Sequence, residues 1–387
     1  MNYPIGSIAD LATIEMGQSP KGETVRRSPT GLPLLNGPTE FGQQHPLPAQ
    51  WTDAGVRFAR AGDVLFCVRG STTGRMNRAD QDYAIGRGIA ALRARDGVDS
   101  RIVKYALDAS LPNLLAGVSG SVFPNLSRDQ ILRHRVPVPP RAEQQAIAEV
   151  LGALDDKIAA NAALAATATQ LASAEFRAAA RGAAWGPTFD EIANVSGGGT
   201  PSTKNPAFWD GDVFWATPTD MTALAGPYLE STARTITSAG LDACSSRLFE
   251  PGVIMMTSRA TIGALAVNNV PTAVNQGFIV VEPNDSQMRW WLFHEMESRI
   301  DEFISWANGA TFLELSRGTF RRLKVRVPTD DALQAFAASV TPLHDAARAA
   351  LIENCTLAAT RDTLLPQLMS GKLRVRDAGE AASRAGA

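Results

Sequence analysis

The stretch VPVPPRAEQQAIAEVLGALDDKIAAN, residues 136–161, decides the fold, because it passes abruptly from a proline-rich segment into a long helical pattern. Ala, Gln, Glu and Leu dominate after Pro140, and all are good helix formers. The apolar spacing is heptad-like and predicts a helical segment over 141–185. Its seam consists of Ile147, Leu151, Leu154, Ile158, Asn161, Ala165 and Ala168. At about 1.5 Å per residue the helix is about 60 Å long.

The same pattern returns 189 residues later and predicts a second helical segment over 329–373. Asp330 and Asp331 put negative charge in its first turn, where the helix dipole favours it. The equivalent seam consists of Phe336, Val340, Leu343, Ala347, Ala350, Asn354 and Leu357.

Further correspondences in the same order indicate a tandem duplication of the whole chain. Phe123–Ser127 corresponds to Phe312–Ser316, Val136–Pro139 to Val325–Pro328, Leu154–Asp156 to Leu343–Asp345 and, after a one-residue gap, Gly62–Val64 to Gly252–Ile254, Arg69 to Arg259, Gly74 to Gly263 and Gly88 to Gly277.

The segments 1–140 and 186–328 differ from the helices in that Gly-, Pro- and Thr-rich turns alternate with short apolar runs. Buried strands are predicted at 64–68, 253–256 and 278–281, and helices at 101–109 and 288–306. We therefore expect an α+β fold with two globular domains, two helical spacers and a flexible tail at 374–387.

A long helix with one narrow apolar stripe needs a partner for that stripe. The duplication favours an antiparallel coiled coil of the two helices, with pseudo-twofold symmetry and the globular domains at opposite ends. The alternative is that each helix packs back on its own domain. Asn161 and Asn354 either fix the register of the seam or lie at a solvated edge.

Composition excludes several classes of protein. Cys67, Cys244 and Cys355 have no paired spacing, which argues for a reducing cytoplasm and against a disulfide framework. The N-terminus has neither the basic start nor the apolar run of a signal peptide, and no apolar stretch approaches the roughly 20 residues of a membrane span. Residues 1–140 carry 16 Lys/Arg against 12 Asp/Glu, and residues 186–328 carry 11 against 15. Charge is therefore neutral evidence about a nucleic-acid partner.

Several motifs together resemble the specificity subunits of type I restriction-modification systems. Residues 136–161 are similar to the central conserved region of that family, and 364–373 (LLPQLMSGKL) to its usual C-terminal ending. Two stretches are similar to the openings of its target-recognition domains: GQSP at 17–20, and GGTPS at 198–202 with Trp209 and Trp215 following. Copy two departs from the pattern, because it lacks the Glu-Gln-Gln run and has His344 where copy one has Asp155.

The resemblance implies a non-catalytic subunit that binds an interrupted double-stranded DNA target, one half per target-recognition domain. It further implies methyltransferase subunits, which use S-adenosylmethionine and dock on the spacer helices, and restriction subunits, which use ATP and Mg²⁺. No cofactor is expected on this chain and no membrane is involved.

The sequence lacks the motifs of the partner enzymes. It contains neither a G-x-x-x-x-G-K-[ST] phosphate loop nor an Asn-Pro-Pro-aromatic motif. Gly197–Gly199 has the composition of a nucleotide loop, but Thr200-Pro201 follows in place of a helix. Asp155–Lys157 is similar to part of a nuclease cluster, although a heptad helix makes a solvated charged face the simpler interpretation.

Reading bases requires polar and cationic side chains on loops that reach base edges. The candidates on the opening loops and on the loop after the duplicated strand are Gln18, Lys21, Arg69, Ser71, Thr72, Arg75, Arg78, Thr200, Ser202, Lys204, Ser258, Arg259 and Thr261. The alternative for each is an ordinary surface role. Trp209, Phe214 and Trp215 are expected in the core rather than stacked on bases.

Two other functions compete with this interpretation. A single-chain enzyme would need a fused catalytic domain, for which no residues remain. A coiled-coil adaptor that binds only protein would not need two unlike domains on similar helices.

Overall fold

The computed structural model describes residues 3–42, 44–117, 125–309 and 313–375. Phe123, Pro124 and Phe312 of the repeat, and residues 376–387 of the expected tail, lie outside these ranges. The chain forms two compact units: unit 1 combines Met1–Ala160 with Asn354–Ala387, and unit 2 is Asn161–Glu353. Each unit therefore contains one expected globular domain and half of each long helix.

Unit 1 is built mainly of short strands. They are β1 (Ile5–Ser7), β2 (Ala12–Met16), β3 (Val25–Arg26), β4 (Leu32–Leu35), β5 (Gln50–Thr52), β6 (Phe58–Ala59), β7 (Val64–Cys67), β8 (Met76–Arg78), β9 (Tyr83–Ile85), β10 (Ile89–Ala94) and β11 (Arg135–Pro137). The helices are α1 (Ile8–Leu11), α2 (Ser100–Ala116), α3 (Arg128–Arg133) and the start of α4 (Arg141–Ala179), with 3₁₀ turns at Gly22–Thr24 and Pro38–Glu40.

The main sheet of unit 1 has the antiparallel order β2-β10-β7-β8. Strand β7 is buried on both faces, as its continuous apolar run predicts. Val64 and Phe66 face the core shared with α2 and the long helices, whereas Leu65 faces a second core with Tyr83 and Ile85. A second sheet has the order β3-β5-β4-β9-β6, in which β4 and β9 are parallel, and β1 pairs with β11.

Unit 2 repeats this plan. Its strands are β12 (Ala184–Thr188), β13 (Ala193–Ser196), β14 (Trp209–Ala216), β15 (Tyr228–Leu229), β16 (Thr235–Ile236), β17 (Ile254–Thr257), β18 (Leu265–Asn268), β19 (Thr272–Val274), β20 (Phe278–Pro283) and β21 (Lys324–Val327). Its helices are the end of α4, α5 (Phe189–Ile192), α6 (Pro218–Thr222), α7 (Ser238–Asp242), α8 (Met288–Glu297), α9 (Ile300–Ser305), α10 (Arg317–Arg321) and the start of α11 (Asp330–Ser370), with 3₁₀ turns at Ala180–Gly182 and Pro206–Phe208.

The main sheets of the two units share one strand order, whereas the second sheet has three strands in unit 2, in the order β16-β14-β19, and five in unit 1. The sheet β13-β20-β17-β18-β15 corresponds to the main sheet with one added parallel strand, and β12 pairs with β21. The parallel pair β14–β19 corresponds to β4–β9. Alternate residues of β17 again face two cores, with Ile254 and Met256 in one and Met255 in the other. The tandem α+β repeat is confirmed.

The two long helices pack antiparallel within each unit, as predicted. In unit 1 the Arg361 guanidinium donates to Asp155 at 2.9 Å, and the Asn354 amide donates to the carbonyl of Ile158 at 2.9 Å. In unit 2 Phe176 packs edge-on against Phe336. The predicted seam residues are buried or partly buried throughout.

The two seam asparagines form hydrogen bonds between the helices. Asn161 is 4% exposed and donates to Glu353 at 2.7 Å within unit 2. Asn354 makes the bond to Ile158 within unit 1. This geometry favours the register interpretation over the solvated edge.

One expected helix is broken. The pattern over 288–306 forms two helices, α8 and α9, with Arg299 between them in a non-helical conformation. Its buried guanidinium donates to Glu295 at 3.1 Å, to Glu302 and to the carbonyl of Lys324 at 2.6 Å. The hydrogen bonds of this buried charge, to two neighbouring carboxylates and to the backbone of β21, therefore outweigh the local helical preference here.

Candidate DNA-binding site

The loop after the buried strand is closed by an equivalent backbone hydrogen bond in both units, although the loop of unit 2 is one residue shorter. After β7, Gly74 donates its backbone N–H to Cys67 at 2.9 Å, and after β17, Gly263 donates to Thr257 at 2.9 Å. Both glycines have positive φ, +96° and +94°, which explains why glycine recurs at this point of the duplication. These strand loops carry seven of the predicted contact residues: Arg69, Ser71, Thr72, Arg75, Ser258, Arg259 and Thr261.

A glycine turn lies against each strand loop. The N–H of Val68 donates to the carbonyl of Gly88 at 2.9 Å, and that of Ser258 to Gly277 at 2.8 Å. We call the turns at 86–88 and 275–277 the tip turns. Their central residues, Arg87 and Gln276, are exposed and are 189 positions apart.

The glycine-rich opening loops pack directly on the tip turns. A Cβ atom at Gly17 would collide with the carbonyl oxygen of Gly86, and one at Gly198 with that of Val274. Only glycine permits this close backbone approach. The opening loops therefore bring Gln18 and Thr200 next to the tip turns.

Two tryptophans of unit 2 donate hydrogen bonds to the backbone of its opening loop. Trp215 Nε1 donates to the carbonyl of Gly199 at 3.1 Å, and Trp209 Nε1 to that of Ser202 at 3.2 Å. Both side chains are buried, and Arg234 stacks on Trp209 at 3.7 Å. The indoles lie in the core, as expected, and Phe214 is partly buried.

In each unit the strand loop, the tip turn and the opening loop thus form one polar surface, which we call the loop platform. Most of the predicted residues are exposed on or beside it. These are Gln18, Lys21, Arg69 and Ser71 in unit 1, and Thr200, Ser202, Lys204 and Thr261 in unit 2; Thr72 and Arg259 are partly buried.

The structure separates three predicted residues from the centre of the platform. Ser258 is 3% exposed, and its backbone holds the loop. Arg78 pairs with Val64 at the far end of the β7–β8 hairpin. Arg75 lines a cleft with Lys104 and Arg361, between α2 and α11.

The platforms of the two units differ in charge. In unit 2 the Arg259 guanidinium lies 3.3 Å from the Glu314 carboxylate and donates to the carbonyl of Gln276 at 2.9 Å. In unit 1 the corresponding backbone bridge joins Arg69 to Asn125, which is neutral. Unit 1 therefore presents the more positive platform, in line with the local charge balance of the sequence.

Sequence reasoning missed four residues on or beside the platforms. Arg87 and Gln276 occupy the tip turns, and Arg128 and Arg317 begin the equivalent helices α3 and α10. A Cβ at Gly197 would lie 3.1 Å from the Arg317 side chain, which places that arginine beside the opening loop. The 189-residue period could have identified all four.

The alternative catalytic interpretations lose their support in the structure. Asp155 and Asp156 are held by Arg361 and Arg101, and the Tyr105 hydroxyl donates to Asp155 at 2.9 Å. The glycines at 197–199 are followed by an irregular segment through residue 205 rather than by the start of an α-helix. Among the described residues no group of His, Cys, Asp and Glu is arranged to hold a metal ion. No helix in the described ranges has the length and apolarity to cross a membrane.

Comparison with known proteins gives concordant matches. The family described as the type I restriction modification DNA specificity domain matches residues 2–170 and again 188–351. The MjaIX type I restriction enzyme specificity subunit of Methanocaldococcus jannaschii is 34% identical over 166 residues, which cover 42% of this chain and 37% of that protein. The HindI specificity subunit of Haemophilus influenzae is 25% identical over 186 residues, which cover 47% of this chain and 40% of the relative. The chain thus spans about two fifths of the length of these curated relatives.

A solved structure supports the fold. The S subunit of a type I restriction-modification system from M. genitalium superimposes with a TM-score of 0.64 at 18% identity, covering 95% of this chain and 96% of that one. At this identity the likeness concerns the fold.

Proposed function

Since the chain belongs to the family of type I restriction modification DNA specificity domains, we propose that it is the specificity subunit of a type I restriction-modification complex. It binds an interrupted double-stranded DNA sequence, and each unit contacts one half of that sequence through its loop platform. The duplicated platform carries this proposal, because equivalent loops present a different set of polar side chains in each copy.

The chemistry of the platforms fits DNA. Arg69, Arg128, Arg259 and Arg317 supply cations for phosphates, and the opening loops supply hydroxyl and amide groups for base edges. The predicted contacts Gln18, Lys21, Thr200, Ser202 and Lys204 remain part of the proposal. Ser258 contributes through its backbone.

The partners follow from the same proposal. Methyltransferase subunits dock on α4 and α11 and methylate adenine with S-adenosylmethionine, and restriction subunits add ATP- and Mg²⁺-dependent translocation and cleavage. This chain carries no cofactor. We infer a cytoplasmic protein, which its three free cysteines support.

The complex reconstituted with its methyltransferase subunit tests the proposal. We expect methylated DNA to reveal one bipartite motif, and the purified chain alone to show neither methyl transfer nor ATP hydrolysis. Arg69→Ala should weaken recognition of one half-site and Arg259→Ala that of the other. Retarded migration of DNA by the wild-type complex separates this function from a protein-only adaptor, for which no DNA would be bound.

A further inference from the structure

The central residue of the tip turn differs in chemistry between the two units. Arg87 stands at the centre of the first turn and Gln276 at the centre of the second. Both are exposed, and both lie between a strand loop and an opening loop. Duplication has therefore kept the place and changed the side chain.

The backbone of each tip turn is fixed from several sides. In unit 1 the N–H of Gly86 donates to the carbonyl of Leu35 at 2.8 Å, and that of Arg87 donates to Ser19 Oγ at 3.2 Å. In unit 2 the N–H of Asn275 donates to Ala216 at 3.1 Å, and Asn275 Oδ1 accepts from Gly277 at 2.8 Å. A side chain on such a turn starts from a defined position, which recognition of a base edge requires.

Gln276 is also held by neighbouring side chains. Its Oε1 accepts a hydrogen bond from the Thr200 hydroxyl, and its backbone carbonyl accepts from Arg259 at 2.9 Å. The second lone pair of Oε1 and the amide N–H groups remain chemically suited to a ligand with one donor and one acceptor. This pattern is that of an adenine in the major groove, with its N6 amine and N7.

Arg87 offers the complementary chemistry at the same place. A guanidinium presents parallel donors, which match O6 and N7 of guanine. The flanking glycines Gly86 and Gly88 have no side chains that could block its approach. A neutral glutamine at the duplicated position adds no charge for phosphate binding, whereas its amide can pair with a base edge, which favours base contact for this position.

We propose that the tip turns read one purine in each half-site through its major-groove edge, a guanine by Arg87 and an adenine by Gln276. The proposal rests on the proposed function and deepens it by naming a base and a residue for each half. The neighbouring arginines Arg69 and Arg259 then serve mainly to hold phosphates and the turn itself.

Reciprocal substitution tests the proposal in the complete complex with its methyltransferase subunit. We expect Arg87→Gln to change one guanine of the methylated motif to adenine, and Gln276→Arg to change one adenine of the other half to guanine. Each variant should lose about 10- to 100-fold in affinity for the original target relative to the switched one. Arg133→Gln, on the exposed face of α3, is the matched control and should leave the motif unchanged.

Four outcomes are distinguishable. A switched purine in one half-site supports the proposal. An unchanged motif with uniformly weaker binding and a reduced salt dependence identifies a phosphate contact and overturns it, and so does unchanged binding by a variant with wild-type thermal unfolding. A wild-type complex without any bipartite motif would instead refute the proposed function, whatever the variants do.

Discussion

The two units attach the helix that follows their main sheet to the long helices by different chemistry. In unit 1, polar contacts join α2 to α4 at the edge of the shared apolar core. The Tyr105 hydroxyl donates to Asp155 at 2.9 Å, and Arg101 donates to both oxygens of Asp156 at 2.8 and 3.0 Å. Burial first, and then Asp155, raise the pKa of Tyr105, so it remains a hydrogen-bond donor at neutral pH.

In unit 2 three of the four residues that lie 189 positions later are aromatic: Trp290, His294 and His344 correspond to Arg101, Tyr105 and Asp155. Trp290 stacks on His344 with ring centroids 3.4 Å apart. His294 and His344 face each other through their Nε2 atoms at 3.0 Å, in place of Tyr105 and Asp155. His344 Nδ1 also lies 2.8 Å from the Tyr228 hydroxyl.

This difference teaches that the backbone geometry of the attachment is kept while its chemistry changes. A hydroxyl–carboxylate pair and an imidazole pair both span one hydrogen bond between a domain helix and a long helix. The two facing residues must be complementary to each other within a unit, but the pair need not be the same in both units. The energetics should nevertheless differ, because partly exposed ion pairs contribute little and buried ring stacks contribute more.

Exchanging a domain should have the largest effect. Replacing residues 1–140 by the corresponding domain of a relative should change one half of the methylated motif completely and leave the other intact, because the base contacts of separate sites are nearly independent. Sequencing of methylated DNA measures both halves at once. A change in both half-sites would show that the two units read one sequence jointly.

Removing the ring stack should destabilise unit 2 strongly. Trp290 is 8% exposed, and Trp290→Ala should cost about 3–5 kcal/mol through the cavity it leaves. Arg101→Ala, its counterpart in unit 1, should cost about 1 kcal/mol or less, since Asp156 is more than half exposed. Native-state hydrogen exchange, which reports each unit separately, checks both values. Equal losses would contradict the comparison.

Acid should weaken unit 2 by a smaller amount. Burial, followed by the charge of His294, lowers the pKa of His344 from 6.5 to about 3. The unfolded chain therefore binds a proton below pH 6.5 that the folded chain does not, and stability falls as pH falls. Between pH 7 and 5.5 the loss should be about 1 kcal/mol.

Hydrogen exchange of unit 2 at these two pH values measures the loss, and His344→Gln should abolish most of it. Burial also lowers the pKa of His134 in unit 1, so His134→Gln is the matched control for a histidine outside the stack. Both measurements lie above pH 5.5, so that protonation of Glu297 does not contribute to the difference. Burial alone would raise the pKa of Glu297, but its hydrogen bond from His294 leaves that pKa below 4.5.

Much of the fold could be predicted from the sequence, because its strongest signals are local. The two heptad seams, Ile147 to Ala168 and Phe336 to Leu357, need only helical periodicity, and the period of 189 residues predicts that both halves share one plan. The strands β7, β17 and β20 were predictable as continuous apolar runs.

The platforms were harder to predict for a physical reason. Arg87 and Gln276 lie in turns whose sequences have no feature that distinguishes them from other loops. The glycines of the opening loops contact these turns only in the folded chain. Strands of two residues, such as β3 and β6, carry too little pattern to be recognised. Arg299 lies between α8 and α9, and its hydrogen bond to the carbonyl of Lys324, 25 residues later, is a contact that no local propensity contains.

The interleaved order of the units has a consequence for synthesis on the ribosome. Ile147 and Leu151 share a core with Leu365 and Leu368, which emerge roughly 200 residues later. At about 5–20 residues synthesised per second, unit 1 cannot complete its core until the end of α11 emerges about 10–40 s later. Unit 2 is continuous and can close first. The nascent chain therefore exposes an apolar stripe for much of its translation, and a chaperone or an early-bound partner helix would find it there.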